Sequence, residues 1–168
     1  MVKITWHNEF VPEGMKIKQV YGLVFNEEGK ILMRVENRGN KKTFSFGGGT
    51  PENYDHNIEA TLRREMLEEV NTTLQNEVFY VGYQEIDPGD NTPPFAQVRM
   101  TALIKEIGPK LPDPDGGEIY DRLLTDPKKA IKFLNWKQTG KQQVERAVEV
   151  AKEKLGISFK NDGNDFWV

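Results

Sequence analysis

Three glutamates, Glu65, Glu68 and Glu69, crowd the run Arg64-Glu65-Met66-Leu67-Glu68-Glu69, and a triple glycine, Gly47-Gly48-Gly49, lies ahead of them. On a helix turning about 100° per residue, Glu65 and Glu69 stand one turn apart on nearly one line, with Glu68 to the side. Like charges so placed repel by about 0.2–0.5 kcal/mol per pair. A solvated helix edge tolerates that repulsion, whereas a divalent cation removes it. Magnesium takes hard oxygen ligands and keeps several waters, so clustered carboxylates suit it. Glycines let the backbone turn tightly and approach a ligand closely. A loop of that kind leading into a helix offers carbonyls to a metal and N–H groups to phosphates. The two halves together read as a metal–diphosphate site. Arg64 is spaced to pair with Glu68 at i,i+4 and hold it in position.

These residues need elements to position them. Ile58, Leu62, Met66 and Val70 recur every four residues, which predicts a helix from about His56 to Val70 with one apolar stripe. Ile17–Phe25 and Ile31–Val35 are rich in β-formers around the turn Asn26–Lys30, so they read as a hairpin. Further strands are expected at Thr43–Phe46, Glu77–Ile86, Phe95–Ile107 and Ile119–Leu124. A brief helix should begin at Asp126-Pro127, with Asp as N-cap and Pro at the first helical position. A last helix should run from Lys137 to Leu155, stopped by Gly156. Strands, a helix, more strands and terminal helices predict an α/β fold, a mixed central sheet with helices on both faces. The expected organisation is a single domain over residues 1–159 and a C-terminal tail over 160–168, either loose or docked through Phe166 and Trp167.

The chain has 168 residues, 37% hydrophobic and 29% charged, which suits one globular core. A net charge of -3 argues against a nucleic-acid-coating surface. The absence of cysteine excludes disulfides, thiolate zinc sites and cysteine nucleophiles. No apolar run approaches the roughly 20 residues needed to span a bilayer, and MVKITWHNEF lacks the apolar core of a signal peptide. A cytoplasmic protein without membrane or nucleic-acid partners is therefore expected. His7 and His56 show no partner spacing for zinc or a catalytic triad.

With these residues in view, the stretch 47–72 resembles the signature of the Nudix hydrolases (MutT-like), G-x5-E-x7-R-E-U-x-E-E-x-G-U, where U is bulky and apolar. Arg64-Glu65-Met66-Leu67-Glu68-Glu69-Val70 fits its second half throughout. The first half departs. Asp55 follows Gly49 with five residues between them, where a Glu belongs, and stands one residue too far from Arg64. Asn71 and Thr72 replace the later glycine and its apolar neighbour, and Asn is the best non-glycine choice for a left-handed helix end.

The resemblance implies an α/β/α sandwich and hydrolysis of a nucleoside diphosphate linked to X, with a triphosphate, nucleotide sugar or ADP-ribose all permitted. It implies Mg2+, with Mn2+ as substitute, held by Glu65, Glu68, Glu69 and the carbonyl of Gly48. Glu65, Arg64 and Glu68 would form the catalytic set, with Glu118 of the loop Asp113–Glu118 as a further base or ligand. Arg34, Phe46, Gly49 and Asn135 would contact the small-molecule nucleotide, Phe46 lining a base pocket and Asn135-Trp136 reading the base. Many relatives pair, so a homodimer is permitted. The altered first half of the box leaves an alternative: a nucleotide-binding sensor on the same fold that does not cleave. A protein–protein scaffold draws support only from the aromatic end Phe166-Trp167-Val168.

Overall fold

In the computed structural model, which describes residues 1–168, strand β1 (Lys3–His7) opens the chain, followed by β2 (Lys16–Gly22), β3 (Ile31–Arg38), β4 (Lys41–Ser45) and the two-residue β5 (Gly48–Gly49). Helix α1 (Ile58–Val70) comes next, then the long β6 (Thr72–Asp87) and β7 (Phe95–Ile107), and β8 (Asp121–Thr125). Helices α2 (Pro127–Leu134) and α3 (Lys137–Val150) follow; α3 runs on through a π turn at Ala151–Leu155, and β9 (Phe166–Trp167) closes the chain. No helix is long and apolar enough to cross a membrane.

The strands form two sheets. One is mixed, in the order β1-β6-β7-β2-β5, with β2 and β7 parallel. The other, β4-β3-β8-β9, is antiparallel. Helices cover two apolar layers. Leu62, Met66 and Val70 of α1 pack with Val20, Val24, Leu32 and Val98. Ala130 and Leu134 of α2 and Val144 and Ala147 of α3 pack with Leu23, Phe25, Met33 and Phe46. The expected α/β/α sandwich with a mixed central sheet is what the chain builds, and a second sheet accompanies it.

The hairpin reading of Ile17–Val35 is corrected. The turn is real: Asn26 N–H donates to the Lys30 carbonyl at 3.0 Å, and Phe25 bridges Ile31. Beyond it the strands part into different sheets, because β2 already has β7 on one edge and β5 on the other. Asp126 precedes α2, with Pro127 at its start, but its side chain makes no cap. Its carboxylate instead accepts from the fully buried Lys30 ammonium at 2.6 Å and from Gly163 N–H at 2.6 Å. Lys30 also reaches Asp162 and the Asn164 carbonyl, so the end of the chain is tied down. Phe166 and Trp167 join the sheet edge through their backbone and leave their side chains exposed.

Arg122 is buried without a carboxylate partner. Its Nη1 donates to the carbonyls of Val70 at 2.9 Å and Gly108 at 2.7 Å, and its Nε to that of Val168 at 3.1 Å. A cation there also faces the negative end of the α1 dipole.

Candidate active site

Helix α1 is capped by Asn57, whose side-chain oxygen accepts from Ala60 N–H at 2.9 Å, and starts at Ile58, two residues later than the expected His56. It ends at Asn71 in the left-handed conformation (φ 46°), with its N–H on the Leu67 carbonyl, as the substitution of Asn for Gly leads one to expect. The glycine turn packs against this helix. Gly48 and Gly49 pair with Tyr21 and Val20 of β2. A Cβ on Gly49 would stand 2.4 Å from the Glu65 carboxyl carbon, and one on Gly48 2.2 Å from the Val20 carbonyl. At Gly48 the obstacle is β2 backbone, which only glycine clears; at Gly49 the Glu65 carboxylate would have to move aside.

Glu65 and Glu69 are buried and adjoin the turn; Glu68 is half-buried. Glu69 Oε1 accepts from Gly48 N–H at 2.7 Å, and its Oε2 pairs with Arg34. Arg34 comes from β3, so this contact joins the two sheets through α1. Burial raises the Glu69 carboxyl pKa, opposed by Arg34 and the Gly48 N–H.

Arg64 gathers the remaining charges. Its guanidinium donates to Asp55 at 3.1 and 2.9 Å, to Glu65 at 2.9 Å, to Glu68 at 3.2 Å and to the Thr50 carbonyl at 3.0 Å. Asp55 also accepts from Thr61 Oγ1 and Glu52 N–H, each at 2.9 Å, and Arg64 holds its carboxyl far below the usual range. The residue that breaks the spacing of the box thus serves as a support beneath it. No three His, Asp or Glu side chains converge as a ready-made metal group; the arginines stand between the carboxylates.

Burial pushes the Glu65 carboxyl up to about 7, against the pull of Arg64 and with added repulsion from Glu69 and Glu68. Folding therefore favours protonated Glu65. Its contribution to stability is full below the unfolded value of 4.5 and is lost as pH rises through about 7. Glu65→Gln is expected to abolish that loss, by on the order of 1–2 kcal/mol after allowance for solvent screening. Urea unfolding with chelator at pH 5 and pH 8 measures it. A wild-type protein that is no less stable at pH 8, relative to the variant, than at pH 5 contradicts this account.

A cavity of about 380 Å³ is lined by Tyr21, Arg34, Phe46, Arg99 and Trp136 among others, and Arg34 links it to Glu69. Phe46 is both core and lining, edge-on to Trp136 at 6.0 Å.

The family model for NUDIX domains matches residues 15–146, a span that holds the glycine turn, α1 and most of this cavity. The chain belongs to the NUDIX family. It is thereby a NUDIX hydrolase, of the class acting on phosphoanhydride bonds. Its fold is shared with many solved chains. One is the ORF135 protein of E. coli, 18% identical, with a TM-score of 0.58 over 86% of this chain and 98% of that one. Another is the NUDIX hydrolase of Nitrosomonas europaea, 17% identical, TM-score 0.56, over 86% and 93%. A third is a UDP-X diphosphatase, 16% identical, TM-score 0.57, over 85% and 66%. No curated protein matches the sequence.

Within this NUDIX fold the expected residues divide. Arg64, Glu65, Glu68, Glu69, Gly48, Gly49 and Arg34 come together around the turn. Glu118 lies exposed in a loop closed on itself, where Asp113 N–H donates to its carbonyl at 2.8 Å. Its carboxylate accepts from the Tyr120 hydroxyl at 2.6 Å, and Tyr120 lies under Arg34. Asp113, in the same loop, is the acidic group whose charge acts on Glu69. Asn135 is exposed and spends its residue type on the left-handed end of α2 (φ 55°); its neighbour Trp136 lines the cavity instead. Sequence reasoning missed Tyr21 and Arg99. Gln97 and Arg99, alternating on one side of β7 among Ala96, Val98 and Met100, were the available signal.

Proposed function

We propose that this NUDIX protein hydrolyses the diphosphate linkage of a nucleoside diphosphate joined to X, with a divalent cation at Glu65, Glu68, Glu69 and the Gly48 carbonyl. One observation carries the reading: two buried acidic side chains meet the glycine turn, and Arg34, paired with one of them, lines an aromatic-walled cavity of about 380 Å³. The donor set suits such a cation, because carboxylates and a carbonyl are the hard oxygens that magnesium prefers. When bound, the cation would neutralise phosphate charge and make a water more acidic.

The chain's own residues supply the rest. Burial raises the Glu65 carboxyl pKa while the cation is absent, and the cation would favour its carboxylate form. Arg64 is a positioning residue, holding Glu65 and Glu68 from the Asp55 support. Arg34 presents a guanidinium between the carboxylates and the cavity, where a phosphate of the substrate would lie. Glu118, joined to Tyr120 beneath Arg34, would serve as the further base or ligand. The solved UDP-X diphosphatase of the same fold acts, by its name, on a substrate of this class.

The sensor reading draws on a different observation. Both Glu69 oxygens already carry donors, from Gly48 and Arg34. Incubation with Mg2+ or Mn2+ and a panel of nucleoside triphosphates, nucleotide sugars and ADP-ribose separates the two. Release of nucleoside monophosphate or phosphate is expected. Tight nucleotide binding with no product under either metal replaces the hydrolase with the sensor.

A further inference from the structure

The floor of the cavity contains a charge that nothing in the protein neutralises. Arg99 is only 2% exposed, and no carboxylate pairs with it. Its Nε donates to Gln143 Oε1 at 2.7 Å and its Nη1 to the Gln97 carbonyl at 3.3 Å. Nη2 makes no hydrogen bond. Three of the five guanidinium N–H groups are therefore unspent. A buried, unpaired cation is costly. Stacking over Tyr21 at 4.8 Å and Trp136 at 6.0 Å offsets a part of that cost only.

A relay of glutamines extends this donor character. Arginine can only donate, so the amides beyond it must all point one way. Gln143 Nε2 donates to Gln84 Oε1 at 3.2 Å and to the Thr139 carbonyl at 3.0 Å. Gln84 donates to Gln97 at 3.0 Å, and Gln97 to Gln19 at 3.0 Å. Each carbonyl oxygen of Gln143, Gln84 and Gln97 already accepts a bond, while Gln84 and Gln97 each keep one amide hydrogen free. Gln84, Gln97 and Arg99 all line the cavity. Its floor is a surface of donors, and its walls are the rings of Tyr21, Phe46 and Trp136.

From this juxtaposition of an uncompensated guanidinium, free amide donors and aromatic walls, we infer that the cavity selects a 6-oxopurine base. The inference rests on the proposed reaction for the direction of the substrate, with its diphosphate at Arg34 and the carboxylates. A planar heterocycle suits the aromatic walls. Its O6 and N7 are two acceptors on one edge, spaced for one guanidinium. A 6-aminopurine turns an N–H2 toward the same donors, and a pyrimidine lacks the acceptor pair. A simple anion satisfies the charge but leaves the rings without a partner.

Calorimetry with the non-hydrolysable α,β-methylene diphosphates of guanosine, adenosine and uridine tests this. Guanosine should bind about 10- to 100-fold more tightly than the other two. The 7-deazaguanosine analogue should forfeit most of that gain, and Arg99→Met should erase the difference between bases. If Arg99→Met does not fold, the 7-deaza arm decides alone, since it alters the ligand and not the protein. Equal affinity for the three bases overturns the inference, as does displacement of the guanosine analogue by inorganic phosphate or glucuronate at comparable concentration. Base selectivity without turnover of any panel substrate would refute the proposed reaction and leave this inference standing. Turnover with no preference among bases would do the reverse.

Discussion

Glu69→Gln is expected to lower kcat by about a thousandfold with the fold intact, in keeping with the several kcal/mol that a catalytic cation supplies. Glutamine is isosteric, so its carbonyl can still accept the Gly48 N–H. It cannot serve Arg34 equally, because its amide N–H2 would face the guanidinium donors or give up the Gly48 bond to turn away. The negative charge that would hold a cation beside the turn is also gone. The loss should fall on kcat more than on KM, since the base cavity is untouched. A thermal melt confirms folding and a metal-dependent assay reads the rate. Activity within tenfold of wild type would remove Glu69 from the proposed machinery.

Arg64→Ala should produce the largest loss of stability among single changes at the site. The guanidinium makes five hydrogen bonds to Asp55, Glu65, Glu68 and Thr50. Without it, the Asp55 carboxylate, 6% exposed, keeps only Thr61 and Glu52, and Glu65 and Glu68 lose the cation they share. Breaking a buried pair from one side costs about 3–5 kcal/mol. Arg64 is partly exposed, so the lower end applies, equivalent to about 6–12 °C in Tm for a chain of this size.

The pH dependence identifies the cause. Asp55 has a depressed folded pKa, so it contributes stability above the ordinary aspartate value of 3.8 that is lost as pH falls toward its folded value. The gap between wild type and variant should therefore narrow in acid. A gap that persists unchanged at pH 3 would mean that Arg64 acts through packing and not through its charge.

The parts of this site that were legible in the sequence are local ones. The four-residue stripe of α1, the carboxylates one turn apart and the left-handed Asn71 each depend on neighbours within a few positions. The glycine turn was legible as a close approach, and Glu65 is what it approaches. The parts that were not legible depend on pairings across long stretches of chain. Val24 and Leu32 flank a turn like that of a hairpin, but the partners that part their strands, β7 and β8, come much later. Asp126 has the look of a helix cap, and a lysine 96 positions away takes its carboxylate. Arg99 meets Gln143 only once α3 has folded over the mixed sheet. Asp55 is the instructive case. As a mismatch to a spacing rule it counts against the site, whereas in three dimensions it anchors the arginine on which the carboxylates depend.

Arg122 gives the end of the chain an unexpected importance. One guanidinium grips the last carbonyl of the box helix together with that of Val168, the residue that follows β9. That strand cannot peel from the sheet edge without releasing its hold beneath the helix terminus. Fraying of the C-terminal segment therefore strips one of three acceptors from the arginine beneath the acidic helix, and leaves Val70 and Gly108 to hold it alone.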